Sequence, residues 1–284
     1  MSKELTKYKK ELLDKLNLKE SELNKVFSEV FWDHQNPCKL IIPLMVIKKS
    51  FDNTKDIFPN DDPSIIKRQL FIEILIKFCK LAEDFGGLVS SKDDDMFKFA
   101  QNYNTFKVDD VLSFYDTLSL DDNSLNKLLC YPAHNKQCDK AKGVLELSYM
   151  NLKESLERIK EEYTKHREAY NSYKHGFRIR FEDAGDFEVG NKVYKNSKIL
   201  FYYNSKSLKK DPHIMSLIVY ENFSDYNFNE LYNLCLDLMD LMNIFISNFR
   251  ESKNESRNKP FNIFFCQEQK EDKAKTFKDV IFNI

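Results

Sequence analysis

The chain has 284 residues, and its 44 Lys and Arg residues nearly balance 45 Asp and Glu residues, for a net charge of −1. This length can bury a substantial core, and the balanced charge excludes a polycation, so any nucleic-acid binding has to come from a local basic patch. Its 24 Phe and 14 Tyr residues against only 6 Gly favour long helices with aromatic packing.

The sequence predicts a cytoplasmic protein that does not enter a membrane. The first ten residues, MSKELTKYKK, are charged and lack the apolar stretch of a secretory signal. The longest apolar run, LIIPLMVI at 40–47, is much shorter than the ~20 residues that span a bilayer. The scattered cysteines form no CxxC pair, which is typical of reduced cytosolic thiols. They stand at positions 38, 79, 130, 138, 235 and 266.

Residues 1–62 are predicted to form an N-terminal helical segment followed by an extended connection. Apolar residues recur at helical spacing over 3–32, which predicts two short amphipathic helices. Pro43 interrupts the apolar run that follows, so that run is expected to be extended and buried rather than helical.

A long helix is predicted to begin at Pro63, with Asp62 as its N-cap, and to stop at Gly86-Gly87. Its apolar face supplies one wall of a bundle. Shorter helices are predicted at 93–103, at 107–119 and after an N-cap at Asp122.

The longest periodic stretch runs from Gly143 to Tyr173 and is predicted to end at Gly176. Glu and Lys residues occupy the face opposite its apolar stripe. The stripe consists of Val144, Leu147, Met150, Leu152, Leu156, Ile159 and Tyr163.

A small antiparallel β insert is predicted at 177–222. Apolar and basic residues alternate in FRIRF, Gly190-Asn191 has the chemistry of a hairpin turn, and KILFYYNS and HIMSLIVYEN supply further strands. Helical spacing returns over 227–249. The predicted fold is therefore mainly α, a helical bundle at 63–250 with a β insert between its last two long helices.

Residues 251–284 are predicted to be a polar linker and a tail that carries the apolar stretch FNIFF. Three interpretations of this stretch stay open: it adds a strand to the β insert, docks on a protein partner, or packs against its own domain.

A basic cluster lies where the longest helix is predicted to end, in the segment YNSYKHGFRIR at 170–180. Asn171 and His175 are four residues apart and therefore project from one helix face. Cations are favoured at any helix C-terminus, yet a histidine that titrates near neutrality among cations also suits proton transfer at a phosphodiester. The cluster contains one acid, Glu168, and the cations Lys165, Arg167, Lys174, Arg178 and Arg180.

A long helix that ends in an Arg...Asn-x-x-Lys-His-Gly run, inside a helical bundle, resembles the HEPN superfamily (higher eukaryotes and prokaryotes nucleotide-binding domain). The family motif is an arginine and a histidine with four to six residues between them. His175 matches the motif histidine, Arg167 is the nearest candidate for the arginine, and Asn171 and Lys174 fall within the motif. Seven residues separate Arg167 from His175, one more than the pattern allows, which rotates the two about 80° apart on an ideal helix.

The resemblance implies a metal-independent endoribonuclease, a defence or toxin effector, that leaves 2',3'-cyclic phosphate ends and needs no cofactor. His175 would transfer protons, and Arg167, Lys174 or Arg178 would stabilise the transition state. Arg167 would converge with His175 if the helix unwinds near Gly176, or Arg178 would act from the other side. The resemblance also implies a homodimer whose two motifs share one cleft. The alternative is a non-catalytic module that binds RNA, a nucleotide or a protein partner. The expected substrate-binding residues are Asn171, Lys174, Arg178, Arg180 and Tyr170, although Tyr170 at this spacing also fits bundle packing.

Metal binding is not predicted. Cys130, His134 and Cys138 have the spacing of zinc ligands, but a closed site needs a fourth ligand from afar, such as His213. Two buried thiols in a loop are the commoner explanation.

The acidic pairs at 61–62 and 93–95 lie where helices are predicted to begin, which the helix dipole explains without a divalent ion. The chain has no Walker loop, no GxGxxG and no nucleophile elbow, so an NTPase, a dinucleotide enzyme and a triad hydrolase are not predicted.

Overall fold

A computed structural model describes residues 3–34, 36–131, 139–176, 179–189, 192–203, 215–252 and 262–264. It is mainly helical, with a small antiparallel sheet between the last two long helices, as the sequence predicted. Within these residues no helix combines the length and apolarity needed to cross a bilayer. The helices are α1 (Lys3–Leu16), α2 (Glu20–His34), α3 (Ile41–Asp52), α4 (Thr54–Ile57), α5 (Pro63–Ser90), α6 (Met96–Thr105), α7 (Val108–Thr117), α8 (Asp122–Leu128), α9 (Asp139–Lys174) and α10 (Asp225–Ser252), and the strands are β1 (Arg180–Val189), β2 (Lys192–Tyr203) and β3 (Met215–Tyr220).

The prediction of an extended connection at 40–47 is wrong. Residues 37–40 form a 3-10 turn and α3 follows directly. Pro43 is the third residue of α3, where a backbone N–H would have no partner within the helix, so a proline is accommodated there. Leu44 and Phe51 are the buried residues of this helix.

The prediction that Gly86-Gly87 stops α5 is also wrong, because the helix continues to Ser90. Both glycines are buried against aromatic rings. A Cβ on Gly86 would lie 3.2 Å from Phe114, and one on Gly87 would lie 3.1 Å from Tyr103. These glycines permit close packing of rings on the helix instead of terminating it.

The predicted N-caps are confirmed with one change, although α6 and α9 begin at Met96 and Asp139 rather than near 93 and 143. The Asp62 carboxylate accepts the N–H of Ser64 at 2.8 Å at the start of α5. The N-cap of α8 is Asp121 rather than Asp122, and its carboxylate accepts two backbone N–H groups. Asp95, the last residue of the predicted acidic run, is the N-cap of α6.

The apolar stripe of α9 is confirmed from Leu152 onward but not at its start. Leu147 and Met150 are exposed, whereas Leu145 and Tyr149 are buried. In α10 the predicted stripe is buried throughout. It consists of Leu231, Leu234, Leu238, Leu241 and Phe245.

The chain divides into two compact units, of which the first comprises 1–39, 83–153 and 239–284. Its core is aromatic: the Trp32 ring packs edge-on against Phe31, Phe99 and Phe249, with ring centroids 4.9 to 5.9 Å apart. Lys9 is buried here and pairs with the Asp95 carboxylate at 3.0 Å.

The tail residues 262–264 pack against this first unit. The Asn248 amide donates to the carbonyl of Asn262 at 3.0 Å and accepts its N–H at 2.9 Å. Phe264 is buried, and its N–H donates to the Tyr131 hydroxyl at 3.0 Å. Packing against its own domain is therefore what the described part of FNIFF does.

The second unit comprises 40–82 and 154–238 and contains the sheet, in the order β1-β2-β3 with both pairs antiparallel. Val189 pairs with Lys192, and the turn predicted between them lies outside the described residues. Phe181 of β1 and Tyr220 of β3 pack on Phe71 of α5, with centroids 4.7 and 5.6 Å from its ring.

Candidate functional site

Helix α9 ends at the basic cluster, as predicted. The N–H of His175 donates to the carbonyl of Asn171 at 3.1 Å, which continues the α-helical pattern. The N–H of Gly176 instead donates to Tyr173 at 2.9 Å, and Gly176 adopts φ +80°, a left-handed conformation that glycine favours. The helix therefore stays intact through His175 and stops at the glycine.

One side of the last two turns of α9 is fixed within the second unit. Ala169, Tyr170 and Ser172 are buried. The Ser172 hydroxyl accepts the backbone N–H of Tyr203, the last residue of β2, at 3.2 Å. This hydrogen bond ties the helix end to the sheet.

The last three residues before Gly176 are exposed to solvent. Tyr173, Lys174 and His175 are exposed, and Asn171 is half-buried one turn earlier. The His175 ring makes no hydrogen bond or ion pair with any described residue. Its two nitrogens are available to a ligand.

Arg167 does not join His175. Its side chain is 21 % exposed and its guanidinium pairs with the Glu168 carboxylate at 3.2 Å. The unbroken helix between the two residues keeps them about 80° apart in rotation and about 12 Å apart along the axis. The unwinding that would bring them together within one chain is not present.

Lys174 and Tyr170 interact with each other. The Lys174 ammonium lies 5.0 Å from the centroid of the Tyr170 ring, a cation–π distance. Since Tyr170 is 5 % exposed, its environment is that of bundle packing rather than of a base-stacking platform. Tyr173, which is 45 % exposed, is the tyrosine that offers a ring face to a ligand.

Arg180 is exposed at the start of β1, where it pairs with Glu182 at 2.8 Å. An exposed ion pair of this kind contributes little and exchanges readily with other anions. Arg178 lies outside the described residues.

A second histidine of α9, His166, was not singled out from the sequence and is completely buried. Its Nδ1 lies 2.9 Å from the carbonyl oxygen of Glu162, and its Nε2 is hydrogen-bonded to the Tyr220 hydroxyl. A carbonyl only accepts, so Nδ1 carries the proton and Nε2 accepts from the tyrosine. The Lys165 ammonium lies over the Tyr220 ring, 4.9 Å from its centroid. Glu162, Lys165, His166 and Tyr220 thus form a second cluster, which is built around the buried histidine.

Burial governs the ionisation of this cluster. It lowers the pKa of His166 to about 3 and raises the pKa of Tyr220 well above its ordinary value. It also raises the pKa of the Glu162 carboxyl. His166 is thus a neutral structural residue. The spacing of Ile159, Tyr163, His166 and Tyr170 on the buried face is the signal that identifies it.

The described residues contain no group of three or more potential metal ligands. Cys130 is half-buried. His134, Cys138 and His213, the other residues of the zinc hypothesis, lie outside the part of the chain that the structure describes.

No protein-family model, curated protein or solved structure matches this chain. The resemblance to the HEPN superfamily is therefore supported by the motif residues alone.

Proposed function

We propose that this chain is an RNA-binding protein whose RNA site is the exposed end of α9. The observation that carries the proposal is the exposure of three consecutive residues, Tyr173, Lys174 and His175, at a helix end that Ser172 ties to the sheet. Single-stranded RNA is bound by cations that contact its phosphates and by aromatic rings that stack on its bases, and this helix end offers both kinds of group.

Each group has a role in this proposal. Lys174 and Arg180 contact phosphates, with Arg180 exchanging its Glu182 partner for a phosphate oxygen. Tyr173 stacks on an unpaired base, which is worth about 1 to 3 kcal/mol per base. Asn171 and His175 offer hydrogen bonds to the ribose or the base.

Endoribonuclease activity is the second candidate, favoured by the exposed and uncommitted ring of His175. In this mechanism the imidazole takes the proton of a ribose 2'-hydroxyl, the 2'-oxygen attacks phosphorus, and the bond to the 5'-oxygen breaks. That oxygen leaves with a proton from an acid, which in a homodimer would be His175 of the second copy. The products are a 2',3'-cyclic phosphate and a 5'-hydroxyl.

The pairing of half-buried Arg167 with Glu168 argues against Arg167 as the charge-stabilising group of the same chain. Lys174 or Arg180 would then stabilise the phosphorane-like transition state. We therefore rank binding first and cleavage second.

The test is a binding and cleavage assay with a labelled single-stranded RNA in EDTA. Lys174→Gln and Arg180→Gln should each weaken binding about threefold to tenfold and make its salt dependence less steep. Lys7→Gln, an equally conservative change at an exposed lysine of α1, is the matched control. RNA affinity that is the same in Lys174→Gln, Arg180→Gln and wild type would refute the proposed site.

The same assay separates the two candidates. If the wild type produces fragments with 2',3'-cyclic phosphate ends and His175→Ala does not, endoribonuclease activity becomes the leading candidate. Binding without fragments, weakened in Lys174→Gln and Arg180→Gln, supports the binding module.

The cellular setting is also proposed rather than observed. The scattered cysteines favour the cytoplasm, and the HEPN resemblance favours a defence or toxin effector that works as a homodimer. The tail beyond residue 264 is the segment we propose for a protein partner.

A further inference from the structure

A cavity of about 920 Å³ lies within the first unit. One face of α2 and one face of α10 line it, together with Met96 at the start of α6 and Asn262 of the tail. This volume is that of sites that hold small organic molecules. The cavity shares no residue with the helix end described above.

The floor of the cavity is apolar. Trp32, Met96, Ile246 and Phe249 line it, and all four are buried. Trp32 is only 4 % exposed, and its indole N–H makes no hydrogen bond to any described residue. The indole N–H is a donor that a ligand in the cavity can use.

Two cations from different helices also line the cavity. Lys25 and Arg250 are exposed and form no ion pair with a described residue. The helix dipole accounts for Arg250 in the last turn of α10, but Lys25 lies in the interior of α2, where that explanation fails.

The acids of the lining are less available than the cations. Asp33 is already paired with Lys39 at 3.0 Å. Asp94 and Glu251 have interactions of their own. Glu29 is the acid that has no partner within the described part of the chain, so two unpaired cations, Lys25 and Arg250, stand against one unpaired acid in the lining.

We propose that this cavity binds a small organic anion with an apolar, preferably aromatic, body and a carboxylate or phosphate group. The body rests on the floor around Trp32, an acceptor atom takes the indole N–H, and the anionic group lies between Lys25 and Arg250. The inference is independent of RNA binding, because it uses other residues and another ligand.

The experiment uses Trp32, the chain's only tryptophan, as the reporter. Phenyl phosphate, phenylacetate, inorganic phosphate and the cation phenethylamine are titrated into the full chain, followed by tryptophan fluorescence and by calorimetry. The two aromatic anions should bind and alter the emission, and phenethylamine should bind at least tenfold more weakly. Lys25→Gln and Arg250→Gln should each weaken anion binding about threefold to tenfold, while Lys7→Gln leaves it unchanged.

The comparison of phenyl phosphate with phenylacetate identifies the preferred anionic group, and either preference supports the site. Inorganic phosphate should bind more weakly than phenyl phosphate because it leaves the floor uncovered. Equal affinity for phenethylamine, no calorimetric signal with either aromatic anion at millimolar concentration, or wild-type affinity in folded Lys25→Gln and Arg250→Gln would overturn the proposal.

Discussion

Two histidines of α9 occupy opposite environments. His166 and His175 are nine positions apart, which places them about half a turn from each other around an ideal helix. His166 is 0 % exposed and hydrogen-bonded at both ring nitrogens, whereas His175 is exposed and makes no polar contact with a described residue. The same side chain therefore serves the fold at one position and is available to a ligand at the other.

The difference shows that local sequence does not identify a functional histidine. Both residues lie among cations, Lys165 and Arg167 on either side of one and Lys174 before the other. What separates them is their position relative to the apolar stripe, which includes Tyr163 and excludes His175.

The largest predicted effect is the loss of stability on His166→Ala. This change leaves a cavity and deprives the buried Tyr220 hydroxyl of its acceptor, so the free energy of unfolding should fall by about 3 to 5 kcal/mol. Urea denaturation at pH 7 measures the change.

His175→Ala is the matched variant and should change stability by less than about 0.5 kcal/mol, because the side chain is exposed. Similar losses in the two variants would contradict the division between a structural and a free histidine.

A half-buried acid on α10, Asp240, extends the comparison to the opposite charge. Burial raises the pKa of Asp240 to about 6, so the folded state disfavours its carboxylate. The resulting decrease in the free energy of unfolding is absent below the ordinary pKa near 3.8 and is complete above pH 6. Asp240→Asn should therefore stabilise the chain by about 3 kcal/mol at pH 8 and by almost nothing at pH 4. A stability gain that does not depend on pH would show that packing, not charge, is responsible.

The pH dependence of His166 has the reverse sign. Its folded-state pKa is about 3, so the unfolded chain binds a proton below pH 6.5 that the fold does not. The stability contributed by the neutral ring is complete above pH 6.5 and decreases by about 1.4 kcal/mol per pH unit as the pH falls toward 3. At pH 5 the wild type should have lost about 2 kcal/mol relative to pH 7 through this group.

His166→Gln supplies the control, since glutamine does not titrate, and the difference between the two unfolding curves isolates the histidine. Parallel curves for wild type and His166→Gln between pH 7 and pH 5 would mean that His166 is protonated in the fold.

The fold was more predictable than the site. Long periodic stripes such as that of α10 fix helices because burial of a whole face outweighs local preferences. The predictions made from Pro43 and from Gly86-Gly87 were wrong because they relied on local preference alone. A proline in a first turn and a glycine beneath an aromatic ring are decided by position and tertiary contact, which spacing alone does not reveal.

For the site, the glycine stop after His175 was foreseen because it is a local backbone signal. The pairing of Arg167 with Glu168 and the burial of His166 were not foreseen, because both depend on what packs around α9.

The smallest predicted effect concerns two glycines of α9 and decides how His175 is presented. Gly176 has φ +80°, so Gly176→Ala should cost about 1 kcal/mol from backbone strain. Gly143 lies within α9 with no atom within 4 Å of an added Cβ, so Gly143→Ala should instead stabilise by about 1 kcal/mol. Thermal unfolding of the two variants should show a loss of stability for Gly176→Ala and a gain for Gly143→Ala. If Gly176→Ala costs nothing, the left-handed stop does not fix the helix end, and the exposed residues Tyr173, Lys174 and His175 lose the rigidity on which the RNA proposal depends. If it costs the expected amount and also weakens RNA binding, the geometry of the helix end, and not only its charge, contributes to recognition.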